Sequence, residues 1–329
     1  MGNRANFVVV EDQDWQLYYS HWGGCRMLDA LIGGPELALR YAASLRRCKK
    51  TDWCDPLWAD GGAVVDLDRQ RVLFFGEPLM MTMNERRALM DVLPIVWPGY
   101  EICWAYDGTE ELAGYVGADL PPVKWGRQPE LKLVRRRNNL CHLISVVEAD
   151  DALRFWPLKW HLSLAWHGPA LLNKLPGKGV GRIRLGMIPE GGAHIDMHRK
   201  TLGAWQTADT MGVFRALPEL WPGWQIEVWE DGFEEHVSRC GGALRVPELD
   251  VIAGIDTAER WLTKRIFESF EDSPAGRIAE LAGMLAPITP GFVVSADALA
   301  DRGVRPTQAE WSRVLSACDQ VRSAHAKSA

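Results

Sequence analysis

The chain has 329 residues, 47% of them apolar, and a net charge of −6. That length suits two or three domains, and that apolar content excludes wholesale disorder. The mild acidity argues against a nucleic-acid coat or a membrane-surface protein, and no apolar run approaches the roughly 20 residues that span a bilayer.

The opening Met1-Gly2-Asn3-Arg4 has no basic segment feeding an apolar run, so no secretory signal is expected. Phe7–Val10 and Trp15–His21 read as two strands around a polar turn. Arg26–Ile32 and Pro35–Arg46 read as helices, with Pro35 acceptable in a first turn. Gly61-Gly62-Ala63-Val64-Val65-Asp66, the turn Asp68–Arg71 and Val72–Phe75 form a predicted hairpin. Leu93–Gly117 then reads LPIVWPGYEICWAYDGTEELAGYVG. Its Trp-Pro-Gly fits a type II turn, because proline pre-sets φ and glycine supplies the positive φ that follows.

That stretch occurs twice. Leu217–Gly241 matches it without gaps at 11 of 25 positions, where chance gives about one or two. Gly191-Gly192-Ala193-His194-Ile195-Asp196 likewise repeats the hairpin strand that begins at Gly61. The order is preserved, so the expected fold is α+β, a tandem duplication of a sheet-plus-helix unit. The expected domains are a first repeat over 1–122, a second over 123–247, and a helical region over 248–329. Two registers are open for the start of the second repeat. One matches Trp15-x-Leu17 to Trp160-x-Leu162 and makes Trp160–Trp166 a strand; the other matches Val9-Val10-Glu11 to Val146-Val147-Glu148.

Beyond Pro247 the pattern turns helical. Ser273-Pro274 is a cap followed by a first-turn proline, and Thr307–Glu310 is a capping box ahead of Trp311, Val314, Leu315 and Cys318. Residues 256–329 hold nine Lys/Arg and ten Asp/Glu, which leaves no basic footprint for DNA. Seven cysteines without paired spacing suggest reduced thiols and a cytoplasmic location.

Candidate chemistry is sparse. Tyr18-Tyr19-Ser20-His21-Trp22-Gly23-Gly24 puts a histidine at a strand end before a helix. His21 could act as a base with Arg4 binding an anion and Cys25 nearby, or simply pack among aromatics. His194-x-Asp196-x-His198 could offer three metal ligands along one strand face. Its outer pair is too widely spaced to chelate one ion readily, so a solvent-facing strand is expected, with no metal and no cofactor. Lys124, Arg127, Lys132, Arg135, Arg136 and Arg137 could contact an acidic partner or phosphates, or could protect the edge of a hairpin that connects the repeats over 123–140. Gly177–Gly181 matches a phosphate loop only loosely.

Met1-Gly2-x-Arg4, the short apolar strand, the polar turn and the aromatic strand ending His21-Trp22-x-Gly24 together resemble the start of a loose group of uncharacterised phage and bacterial proteins. The resemblance spans about 25 residues and implies a role in phage biology or inter-bacterial conflict. The expected function is non-enzymatic binding of another protein, as in an immunity or regulatory protein. The two repeats would make a composite surface, with Trp22 and the basic stretch as contacts. Nucleic acid is the lesser partner, and a membrane is not expected. The alternative is a hydrolase or nucleotide-modifying enzyme with His21 and Arg4 in a cleft between the repeats.

Overall fold

Two hairpins joined by a parallel pairing form the sheet of each repeat. The structure, a computed structural model, describes residues 3–121, 130–136, 139–159, 164–268, 273–285, 287–289, 293–300 and 304–328. In the first repeat β1 (Arg4–Glu11) turns into β2 (Asp14–Ser20). The turn runs through Asp12 and Gln13, both left-handed, a geometry that matches the twist of the flanking strands. The short helices α1 (Met27–Leu31) and α2 (Pro35–Ser44) and the strand β3 (Arg46–Cys48) follow. Next come β4 (Ala59–Asp66), β5 (Arg71–Phe75), α3 (Met83–Val96), β6 (Glu101–Trp104) and α4 (Thr109–Tyr115). The strand order is β3-β2-β1-β4-β5-β6.

The second repeat follows the same plan. It contains β7 (His142–Val147), β8 (Leu153–Leu158), α5 (Leu171–Lys174), β9 (Ile183–Arg184), β10 (Gly191–Asp196) and β11 (Thr201–Gln206). After these come α6 (Val213–Leu220), β12 (Gln225–Val228), α7 (Phe233–Arg239) and β13 (Leu244–Arg245). Its sheet runs β8-β7-β10-β11-β12, the order of β2-β1-β4-β5-β6. The directions agree as well: antiparallel within each hairpin, and parallel for β1 on β4 and β7 on β10. The duplication is therefore structural as well as sequential.

Pairing decides the register that the sequence left open. Val10 faces Asp66 in the first sheet and Val147 faces Asp196 in the second, so Val9-Val10-Glu11 corresponds to Val146-Val147-Glu148. The counterpart of β2 is β8, and Trp160–Trp166 is not that strand. Residues 160–163 lie outside the described residues, and Leu164–Ala170 form a 3₁₀ segment. A Trp-x-Leu spacing suits many half-buried segments and carries no register of its own.

One shared feature escapes the sequence comparison. Gly34-Pro35 and Gly168-Pro169 occupy equivalent corners, both glycines at positive φ. A Cβ on Gly34 would lie 3.0 Å from the Val96 carbonyl oxygen, and one on Gly168 would lie 2.5 Å from that of Leu220. Only glycine admits so close a backbone approach.

The C-terminal helices are α8 (Val251–Ile266), α9 (Pro274–Leu285), α10 (Ala296–Ala300) and α11 (Gln308–Ser328). The chain divides into one unit of Met1–Met80, Asn84–Leu120 and Asp250–Ala329, and another of Met81–Met83 and Pro121–Leu249. The helical region thus belongs to the same unit as the first repeat. Ile255, Leu262, Trp311, Val314 and Val321 share one apolar core with Phe7, Leu17, Phe74 and Trp97. The periodic face of α11 is spent on that core. In the second unit, Val134 donates to the Pro157 carbonyl and Leu133 bridges Leu158, so 132–134 runs along the outer edge of β8.

Candidate functional site

The strand ends of the first unit gather the residues that the sequence marks there. Ala5 pairs with Ser20, which brings Arg4 and His21 to the same end of the β1–β2 hairpin. The Tyr19 hydroxyl and His21 Nδ1 are 3.1 Å apart, and the His21 ring packs edge-on to Trp22. Trp22 is half-buried. Its indole N–H donates to the Ala298 carbonyl in α10 at 2.8 Å, and the neighbouring Arg46 pairs with Asp297. An indole at the foot of a helix supplies both area and a donor to the helical backbone, so the C-terminal helices recruit it. Cys25 is half-buried, and its carbonyl accepts from Arg265.

Arg4 lies near enough for its charge to act on Tyr19, and it packs on a tryptophan. Its guanidinium stacks 5.6 Å from the ring centre of Trp58, which is 64% exposed, and Leu57 beside it is 48% exposed. The Asp60 carboxyl is raised by burial and held down in part by the Arg4 backbone N–H and charge. An exposed tryptophan and its stacked arginine thus share one face, with the exposed Leu57 next to them in the chain. The sequence reading missed Trp58 because nothing in its loop distinguishes a buried tryptophan from an exposed one.

In the second unit, His194, Asp196 and His198 do not converge. Asp196 accepts the backbone N–H groups of His198 and Arg199 and closes the β10–β11 turn. His198 is exposed and pairs with Asp151. His194 is buried, against the expectation of a solvent-facing strand, because α7 covers that face of β10. It joins residues that the motif did not include. Ser145 Oγ lies 2.7 Å from both His194 Nδ1 and His236 Nε2, the Cys240 thiol donates to Ser145 at 3.8 Å, and Trp205 Nε1 donates to His236 Nδ1 at 3.0 Å.

The hydrogens of this cluster follow from chemistry. An indole N–H can only donate, so His236 Nδ1 accepts and its Nε2 carries the proton. That proton goes to Ser145, whose second lone pair takes the Cys240 thiol and whose own hydrogen goes to His194 Nδ1. Both rings are neutral. Burial pushes His194 down to about 4, and burial with His194 beside it pushes His236 down to about 3.

His194, His236 and Cys240 have ligand-type atoms within 4.8 Å of one another, a set that invites a metal reading. The tautomer opposes it. A metal on His236 Nε2 would drive the proton onto Nδ1, against the Trp205 N–H, whereas a ligating imidazole ordinarily donates from its other nitrogen. Ser145 also stands between the two imidazoles. A signal for this cluster does exist in the repeat: Leu112 aligns with His236 and Val116 with Cys240.

Of the basic stretch, Arg135 and Arg136 are exposed, while Lys124, Arg127 and Arg137 lie outside the described residues. Gly179 packs where a Cβ would meet the Trp156 ring 2.7 Å away, which gives that glycine a packing role. Among the described residues no helix is long and apolar enough to cross a membrane. No family model, no curated protein and no solved structure matches the chain.

Proposed function

We propose that this is a non-enzymatic binding protein, of the immunity or regulator kind, that engages another protein through the face carrying Trp58, Leu57 and Arg4. The observation that carries this reading is Trp58 itself. A tryptophan left 64% exposed costs solvation, and Arg4 holds its ring in place from one side. Tryptophan and arginine are the residue types that dominate the energetics of protein interfaces. The reading is supported by the internal use of the other reactive groups: His21 is packed against Trp22, and Ser145 is buried beneath α7. Seven free thiols fit a reducing compartment such as the cytoplasm, which is part of the same proposal.

The test is affinity purification of the tagged full chain from its native host, comparing wild type, Trp58→Ala and the surface control Ile95→Ser. One defined protein should accompany wild type and the control, and its recovery should fall at least tenfold with Trp58→Ala. Equal recovery by the Trp58 variant would reject this face. Turnover of a small molecule by protein that recovers no partner would reject the binding reading.

A further inference from the structure

The two repeats differ most tellingly where they should be most alike. In the first sheet Val8 pairs with Val64; at the matching place in the second, Ser145 pairs with His194. Leu112 covers Gly62, its side chain 2.7 Å from the position of a Cβ there, and His236 covers Gly192 in the same way at 2.9 Å. Phe75 pairs with Gly62, and Trp205 with Gly192. Val116 and Cys240 end the equivalent helices. Five positions that are apolar in one repeat are therefore polar or hydrogen-bonding in the other, and the five touch one another. The fold does not require them, since the first repeat closes on apolar packing. A buried network is high-stakes, because each unsatisfied member costs more than an apolar replacement.

This network balances in one protonation state. Ser145 accepts twice and donates once, and the ring nitrogens that face Ser145 and Trp205 each have one role. A proton added to His236 Nδ1 meets the Trp205 N–H, donor against donor. A proton added to His194 Nδ1 leaves Ser145 facing three donors with two lone pairs. We propose that the His194–His236 pair is an acid-triggered switch, whose protonation releases α7 from the sheet of the second repeat and leaves the first repeat closed.

The groups facing the pair are Ser145 on β7, Asp196 on β10, Trp205 on β11, Glu227 on β12, and Arg239 and Cys240 at the end of α7. Burial and Arg239 oppose a charge on His194, and together they outweigh Asp196 and Glu227, which favour it. Both histidines are held below their ordinary 6.5, so an opened segment binds protons that the closed one refuses. Closure is therefore fully favoured above pH 6.5 and weakens as pH falls, about tenfold per pH unit for each histidine and about a hundredfold for the pair.

Hydrogen exchange on the full chain between pH 7.5 and 4.5, corrected for the intrinsic rate, reads this directly. Protection over 142–147, 191–196 and 233–240 should fall steeply and reversibly below pH 6.5, while 4–11, 59–66 and 109–115 hold. His194→Val should reduce the slope to about tenfold per unit. Installing the first repeat's set (Ser145→Val, His194→Val, Trp205→Phe, His236→Leu, Cys240→Val) should abolish it. Equal loss in both repeats of the wild type, or no loss above pH 4.5, overturns the proposal even if the fivefold variant fails to fold.

Discussion

Trp221 repeats in the second unit what Trp97 does in the first. The Trp97 indole N–H donates to the Leu31 carbonyl at 2.7 Å, and that of Trp221 donates to the Ala165 carbonyl at 2.7 Å. Each is fully buried, and each stacks edge-on against the residue three positions on, Tyr100 at 5.1 Å and Trp224 at 5.0 Å. The turn between them closes through a backbone bond of 3.0 Å in one copy and 3.1 Å in the other, with Gly99 and Gly223 at positive φ. The tryptophan thus pins the helix–turn–strand corner to the chain that precedes it.

Replacing Trp97 or Trp221 with alanine should therefore cost about 3–5 kcal/mol, as truncating a buried large aromatic does. Urea denaturation followed by circular dichroism checks it. A midpoint unchanged from wild type in either variant would contradict the packing described.

Arg265 ties α8 to the first repeat. It donates to both carboxylate oxygens of the buried Glu77, at 2.9 and 2.8 Å, and to Asp29 at 2.8 Å. Burial raises the Glu77 carboxyl, and the arginine opposes that rise. Arg265→Ala leaves a carboxylate buried without its cation and should destabilise the first unit by about 3–5 kcal/mol. Arg265→Met with Glu77→Met should recover most of that loss, and a double variant as unstable as the single would show the ion pair is not the cause.

Glu310 gives a pH signature of the same sign as the histidines, in a lower pH window. The Arg40 side chain and the Thr307 cap bring its carboxyl down to about 2, below the 4.5 expected of an unfolded chain. Its contribution is complete above pH 4.5 and is lost as pH falls toward about 2. Glu310→Gln should cost about 1–2 kcal/mol at pH 7, the worth of a helix cap. Stability measured at pH 7 and pH 2.5 checks it, since the gap between variant and wild type should narrow in acid.

Protein purified without chelator or histidine tag should carry no stoichiometric zinc. The expectation rests on the His236 tautomer that Trp205 imposes and on Ser145 between the imidazoles. Elemental analysis decides it. About one equivalent of zinc, lost in His236→Leu, would overturn the hydrogen-bond assignment and the acid switch with it.

Local chemistry along the chain determined the duplication, the turns and the caps. Trp-Pro-Gly, the glycine-rich strand and the Thr307–Glu310 box state their geometry within a few residues, because proline, glycine and capping side chains act on their own backbone. All of them appear in the structure where the sequence puts them. Tertiary structure alone decided the rest. Strand pairing chose Val146-Val147-Glu148 over Trp160-x-Leu162, because register depends on which face is buried and not on spacing. The packing of α10 against Trp22 engaged its indole N–H, and the packing of α7 over β10 turned His194 inward. His194 and His236 lie 42 positions apart, and the network they share with Ser145 and Trp205 exists only once β7, β10, β11 and α7 have met. A sequence names the groups, but the balance of donors and acceptors among them is a property of the closed core.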